Sequence, residues 1–210
     1  METPQEYIES LLFTPRIFFE NIVDYHKIKH FNIIFGIYCI GYGIDRLEKQ
    51  FLRRDLKGEL EQIEFLNNWP VFWLMVSIGG LIGGYIAYLI GGWFYNVRIK
   101  WSNGVGDIDK SRGIYVLSSL FIYSFAIIYT LFQTVLFDIP YESESDFEFF
   151  DAIGFFLTYA FIFHGIYISY HGALTFTNIE IGKAKIWFLY IPGIMYIAAL
   201  VFLVLGVSSL

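Results

Sequence analysis

The chain alternates long uncharged stretches with short segments that hold most of its charge. A membrane core of about 30 Å is crossed by about 20 apolar helical residues. Four runs reach that length and predict transmembrane helices at residues 69–94, 114–137, 152–176 and 186–208. A fifth run, residues 31–46, is shorter. It crosses only if the basic side chains at its ends extend to the headgroups, and otherwise it is a re-entrant or interfacial helix.

The distribution of basic residues predicts the number of spans and their orientation. Loops on the cytoplasmic side of a membrane carry an excess of Lys and Arg. Five spans with a cytoplasmic N-terminus place nine basic residues inside and five outside, whereas four spans place eight inside and six outside. The pattern therefore predicts five spans, with the N-terminus inside and the C-terminus outside.

Residues 1–30 predict a cytoplasmic lead that precedes a single transmembrane domain at residues 31–210. Four apolar residues of this lead share one helical face: Tyr7, Ile8, Leu11 and Leu12. Thr14 and Pro15 then predict an N-cap and the first residue of a second helix. We expect two short amphipathic helices, which either anchor on the lipid surface or pack beneath the bundle.

Residues 44–65 predict a further amphipathic segment between the first two spans. Apolar residues recur at near-helical spacing, and Asp45 with Lys49 forms a favourable i,i+4 pair. Gly58 is expected to interrupt the helix. The sequence predicts an extramembrane helix or hairpin here, with its charges on a solvated surface, and the acidic loop at 138–151 is likewise expected to be solvated.

Composition excludes an ordinary soluble domain. The chain is 56% hydrophobic and 16% charged, whereas soluble domains carry about 25% charged residues. A net charge of −6 argues against nucleic acid as a partner, and the single cysteine, Cys39, excludes an internal disulfide. Because no catalytic or metal-binding motif is present, we expect neither an enzyme nor a cofactor or metal.

Small residues recur every fourth position in the second span, at Gly79, Gly83, Ala87 and Gly91. Such a ridge lets another helix approach closely, since packing drives helix association in lipid. The sequence therefore predicts tight packing within the chain or between copies. A flexible hinge is the alternative reading.

The fourth span carries a polar stripe: His164, Tyr167, His171 and Thr175. Ionisable side chains at membrane depth are costly and mark candidate functional sites. The stripe predicts either a ligand or proton pathway, or neutral histidines hydrogen-bonded to a neighbouring helix. The two histidines are two turns apart, about 10 Å along the axis, which is too far for both to bind one metal ion.

The loop after the second span clusters four basic residues: Arg98, Lys100, Lys110 and Arg112. Basic side chains beside a membrane attract anionic headgroups, each by about 1 kcal/mol. We expect this loop to contact headgroups on the cytoplasmic side.

Three features together resemble a known family. They are the lead at residues 11–19 (Leu-Leu-Phe-Thr-Pro-Arg-Ile-Phe-Phe), the glycine-rich second span, and residues 109–115 (Asp-Lys-Ser-Arg-Gly-Ile-Tyr) at the start of the third. The chain resembles the prokaryotic branch of the Yip-one domain family, integral membrane relatives of the Ypt/Rab-interacting proteins. The resemblance implies a five-span helical domain with a cytoplasmic N-terminus, and a prokaryotic cytoplasmic membrane as its location.

These observations predict a non-enzymatic membrane protein that acts in membrane organisation or lipid handling, through helix packing and oligomerisation. The expected partners are membrane lipid and a second copy or another membrane protein. The alternative is a small transporter or lipid-translocating protein that uses the polar face of the fourth span.

Overall fold

A computed structural model describes residues 4–21, 31–141, 149–177 and 179–207, and every regular element in them is helical. The elements in chain order are α1 (Pro4–Phe13), α2 (Pro15–Asn21), α3 (Phe31–Asp55), a 3₁₀ helix (Leu60–Leu66), α4 (Trp69–Trp101), α5 (Ile108–Leu136), α6 (Phe149–Thr177), α7 (Ile181–Lys185), a π-helical segment (Ile186–Tyr190) and α8 (Ile191–Val207).

Four helical stretches among the described residues are long and apolar enough to cross a membrane. They are Trp69–Trp101, Ile108–Leu136, Ile153–Thr175 and Ile181–Phe202, the last of which combines α7, the π-helical segment and α8. Each coincides with one of the four long uncharged runs. The prediction of an all-helical membrane protein is confirmed.

The helix α3 is longer than the span predicted at residues 31–46. It runs unbroken for 25 residues to Asp55, because Leu47 and Phe51 continue its buried face past the first charges. Because its C-terminal part is charged, α3 is not one of the four stretches that are long and apolar enough to cross a membrane. The turn that follows contains Gly58 in the left-handed region, with φ 67°, a conformation that glycine adopts without steric cost.

Contacts divide the chain into two compact units. The second unit comprises His30–Ile90 and Ser119–Ile162. Its buried core is formed by α3, the 3₁₀ helix and the first turns of α4, through Ile44, Leu47, Phe51, Ile63, Leu66, Trp69, Phe72 and Val76. The amphipathic segment predicted at 44–65 therefore uses its apolar face to build this core rather than to lie free in solvent.

In the second unit α3 and α4 pack antiparallel at very close range. A Cβ built on Gly80 would lie 2.5 Å from the Cys39 carbonyl oxygen, and one built on Gly84 would lie 3.0 Å from Cys39 Cα. Further along α3, a Cβ on Gly43 would lie 2.5 Å from the Val76 carbonyl oxygen. Only glycine permits this backbone-to-backbone approach.

In the second unit, hydrogen bonds from side chains join the start of α4 to the segment that follows α5. Asn67 donates to the Tyr141 carbonyl (2.9 Å) and accepts from the Tyr141 amide (2.8 Å). The indole of Trp69 donates to the Phe137 carbonyl at 2.8 Å. The start of α4 therefore lies at the same level as the end of α5.

The first unit comprises Met1–Lys29, Gly91–Ser118 and Phe163–Leu210. Its N-terminal helices bury Leu11, Phe18 and Phe19. The second of them begins at Pro15, but the Thr14 hydroxyl donates to the Ser10 carbonyl at 3.3 Å. The Thr14 hydroxyl thus bonds to the last turn of α1, whereas the sequence assigned it to the start of α2.

Candidate functional site

The polar stripe of α6 lies against the N-terminal helices within the first unit. His164 Nε2 is 2.8 Å from the Leu12 carbonyl oxygen. Since a carbonyl only accepts, Nε2 carries the proton in this contact. At the residue after His171, a Cβ built on Gly172 would lie 2.9 Å from the Phe19 ring, so glycine there allows the ring of α2 to pack on α6.

The other residues of the stripe interact mainly with one another. The rings of Tyr167 and His171 lie with centroids 4.5 Å apart in an edge-on arrangement. The Thr175 hydroxyl donates to the His171 carbonyl at 2.6 Å. His171 Nδ1 is buried and has no hydrogen-bond partner in the part of the chain that the structure describes.

A hydroxyl network connects three helices inside the first unit. The Tyr95 hydroxyl lies 3.3 Å from Ser118 Oγ and accepts from Ser169 Oγ at 3.2 Å. Both serines are buried, so each bond satisfies a polar group that lipid could not. Sequence reasoning missed this network, although serine and tyrosine inside three predicted spans were the signal for it.

Arg98 was predicted to contact headgroups, but its side chain is buried, with 7% exposure. Its Nε donates to the Trp187 carbonyl at 2.9 Å, and its Nη2 donates to the same oxygen. The guanidinium also lies near three aromatic rings, 4.2 Å from the Phe188 centroid, 4.8 Å from that of Tyr95 and 5.9 Å from that of Phe94. Arg98 thus joins the end of α4 to the π-helical segment.

Pro192 explains why Arg98 binds this particular carbonyl. In the π-helical segment the Ile191 amide donates to the Ile186 carbonyl, five residues back. The same pattern would pair the Trp187 carbonyl with residue 192, which is proline and has no N–H. The guanidinium therefore supplies the donor that the helix lacks.

The remaining basic residues of the predicted cluster lie at the end of α4 and the start of α5. Lys100 is exposed, and Lys110 and Arg112 are half-buried. Arg112 pairs with Asp109 at 3.3 Å. The turn between the two helices is held by Glu180, whose amide donates to the Ser102 carbonyl and whose carboxylate accepts from Asn103.

The family model of the Yip1 domain matches residues 10–203, which include all four apolar stretches and most of the N-terminal helices. The chain belongs to the Yip1 domain family. Neither the curated proteins nor the solved structures contain a match to it. Its family and its apolar helices together establish an integral membrane protein.

The glycine ridge predicted in this Yip1 domain does not make the backbone-to-backbone contact with α3. Gly79 is exposed and a Cβ there would meet nothing within 4 Å, whereas a Cβ on Gly83 would touch only the Tyr42 ring, at 3.1 Å. Ala87 is half-buried, and Gly91 lies beneath the Tyr115 ring in the first unit. The close α3–α4 contact is made one residue along, by Gly80 and Gly84.

The acidic loop of the Yip1 domain lies mainly outside the described residues, since positions 142–148 are not among them. The structure shows Asp138 in the bend that follows α5. The solvated loop expected from the sequence stays a prediction.

Proposed function

We propose that the protein acts without catalysing a reaction, in membrane organisation or lipid handling, through the packing of its helices and the assembly of copies. One observation carries this proposal: polar groups of the apolar helices, such as Arg98, Tyr95 and His164, are bonded to neighbouring elements. The exposed surface of α8, by contrast, is apolar, with Ile194, Met195, Ile197, Val201 and Phe202.

The proposal includes α3 as a fifth span, with the N-terminus inside and the C-terminus outside. A helix of 25 residues is about 37 Å long, more than a core of about 30 Å. Its contacts with α4 extend from Cys39 opposite Gly84 to Gly43 opposite Val76. A helix that lies antiparallel along a membrane-spanning helix shares its depth in the membrane, which supports the crossing.

The surface that we propose for assembly is the exposed face of α4 around Gly79. Met75, Ile82 and Ile86 lie on the same face at helical spacing, and all three are exposed. Gly79 leaves a notch in this apolar face, because a Cβ there would meet nothing within 4 Å. A second helix can approach closely at such a notch.

Substitution of Gly79 by leucine tests this assembly. We expect Gly79→Leu to fold normally but to shift the purified protein towards monomer, as measured by light scattering in mild detergent and cross-linking in liposomes. Gly193→Leu in α8 is the matched control, since a Cβ there also meets open space. An unchanged oligomer for Gly79→Leu, or a monomeric wild type, would contradict the proposed assembly.

We also propose that Lys100, Lys110 and Arg112 contact anionic headgroups on the cytoplasmic side. The exposure of Lys100 at the end of α4 supports this role. Arg98 is no longer part of the proposed contact, because its guanidinium is bound to the Trp187 carbonyl.

A small transporter or lipid-translocating protein is the second candidate, and one observation favours it. His171 Nδ1 is buried without a hydrogen-bond partner among the described residues. An unsatisfied polar atom at membrane depth is costly and can mark a pathway for a proton or a polar headgroup. The histidine variants discussed below separate this candidate from the first.

A further inference from the structure

The C-terminal part of α3 carries an open groove in the second unit. Its lining is almost entirely basic and contains no acidic residue: Arg46, Lys49, Gln50, Arg53, Arg54 and Lys57. These positions recur at intervals of three and four, so they occupy one side of α3. The opposite side carries Leu47 and Phe51 into the core.

The acidic residues nearby neutralise only part of this charge. Lys49 pairs with Asp45 at 2.6 Å and Arg54 with Glu59 at 2.6 Å. Arg53 and Lys57 are exposed, and neither makes an ion pair within the part of the chain that the structure describes. The groove therefore keeps cationic side chains available for an external anion.

An aromatic ring borders the groove one turn deeper along α3. The Arg46 guanidinium carbon lies 4.9 Å from the centre of the Tyr42 ring. Arg46 also lies 4.0 Å from Asp45, so its guanidinium is held between the ring and the carboxylate. Arg46 lines the groove together with Lys49 and Arg53.

The packing of α3 on α4 places the groove at the level of the helix ends. Gly43 lies opposite Val76, and Phe51 shares the core with Trp69 and Phe72. The basic positions from Arg46 onwards therefore lie at the level of the first turns of α4, on the side of α3 that faces away from the core. Since Trp69 also bonds to Phe137 just after α5, these positions lie where membrane-spanning helices leave the hydrocarbon and meet headgroups.

We propose that this groove binds the phosphate-bearing headgroup of an anionic phospholipid. The inference rests on the proposed lipid-handling role and names the class of lipid and the site. Arginine matches a phosphate with two parallel hydrogen bonds, and lysine adds a compact charge. Tyr42 borders the groove on the side towards the hydrocarbon, where the glycerol backbone of a bound lipid would lie.

The test compares lipid binding by the full-length protein and the double variant Arg53→Gln/Lys57→Gln. Native mass spectrometry of protein in a nonionic detergent, titrated with phosphatidylglycerol or phosphatidylcholine, gives the affinity for each lipid. We expect the double variant to bind phosphatidylglycerol about 30-fold more weakly, the combined effect of two basic side chains near a lipid surface. Binding of phosphatidylcholine should not change.

Two control variants isolate the groove. Lys183→Gln/Lys185→Gln also removes two positive charges, but from α7, and should leave phosphatidylglycerol binding at the wild-type level. Arg53→Lys/Lys57→Arg keeps the charge of the groove and should retain most of the affinity. The unfolding temperatures of the two groove variants should match the wild type, because Arg53 and Lys57 are exposed.

Three results would overturn the proposal. They are unchanged phosphatidylglycerol affinity in Arg53→Gln/Lys57→Gln, an equal loss in the α7 control, and displacement of the lipid by inorganic phosphate at equal concentration. The last result would assign the groove to a soluble phosphate. If Gly79→Leu still dissociates the oligomer, failure here removes only the headgroup site and leaves the proposed assembly intact.

Discussion

His164 and His171 lie on the same face of α6 but differ in their polar contacts. His164 Nε2–H donates a hydrogen bond to the Leu12 carbonyl at 2.8 Å and so holds α1 against α6. His171 contributes ring contacts with Tyr167 and Tyr170, while its Nδ1 is buried without a hydrogen-bond partner among the described residues. The two histidines should therefore respond differently to substitution.

We expect His164→Phe to lower the free energy of unfolding by about 1–3 kcal/mol, because the carbonyl of the half-buried Leu12 loses its donor. His171→Leu should be neutral or stabilising, since it removes an unsatisfied polar atom. Denaturation by SDS in mixed micelles measures both values. Equal losses for the two variants would contradict this account of the stripe.

The double variant His164→Phe/His171→Leu also separates the two proposed functions. Proteoliposomes with a fluorescent lipid, quenched from outside, report lipid translocation, and an enclosed pH dye reports proton flux. A loss of either flux with the fold intact would favour the pathway candidate. Wild-type flux in the double variant would contradict it.

Arg98 shows what a sequence can and cannot predict at the scale of one residue. The sequence placed it in the loop after the second span, whereas it lies in the last turn of α4, which continues to Trp101. Its burial depends on the Trp187 carbonyl, which is far away in the chain and lacks a donor because of Pro192. Proline inside a predicted span was the usable signal, because a proline beyond the first turn of a helix leaves an earlier carbonyl without its N–H donor.

At the scale of elements, the π-helical segment depends on the pairing of Arg98 with the carbonyl that Pro192 leaves free. We expect Arg98→Met to destabilise the protein by about 1–3 kcal/mol, because that carbonyl becomes unsatisfied. In a Pro192→Ala background residue 192 regains its N–H, so the same substitution should cost less. SDS denaturation of the four proteins gives the coupling free energy.

Arg98→Met should therefore cost about 1 kcal/mol less in the Pro192→Ala background than in the wild type, which is the net value of one hydrogen bond. Pro192→Ala alone is the internal control for any change in the segment. Strictly additive effects of the two substitutions would show that the proline and the arginine act independently, and would contradict this explanation of the π-helical segment.

The glycines of α4 show why the packing face could not be read from the sequence. Two ridges at a spacing of four run along this helix, one through Gly79 and Gly83 and the other through Gly80 and Gly84. Both faces are apolar, since lipid and a neighbouring helix favour the same side chains. The sequence predicted close packing along the ridge through Gly79, whereas the position of Cys39 in α3 shows that Gly80 and Gly84 make the close contact with that helix.

At the scale of the whole molecule, the four long uncharged runs predicted the apolar helices, because hydrocarbon thickness sets a minimum length. The charged end of α3 was harder to predict. Its basic residues lie on one side while Leu47 and Phe51 continue the apolar side. A prediction based on charge therefore ends the span at residue 46, although the helix continues to Asp55. Neighbouring helices decide such a boundary.

Cysteine labelling tests whether α3 crosses the membrane. The native Cys39 is buried, so Cys39→Ser gives a background in which single cysteines can be placed at exposed positions. Gln5→Cys, Leu56→Cys and Val105→Cys place them before α3, after α3 and between α4 and α5. A membrane-impermeant maleimide, applied to intact and then to permeabilised cells, reports the side of each.

Five spans with an inside N-terminus place position 56 outside, and positions 5 and 105 inside. We therefore expect the Leu56→Cys protein to label in intact cells and the other two only after permeabilisation. A re-entrant α3 would put positions 5 and 56 on one side and position 105 on the other, which reverses the contrast between 56 and 105. Because positions 5 and 56 flank α3 alone, labelling of both from the same side would contradict the crossing whichever way the protein is oriented.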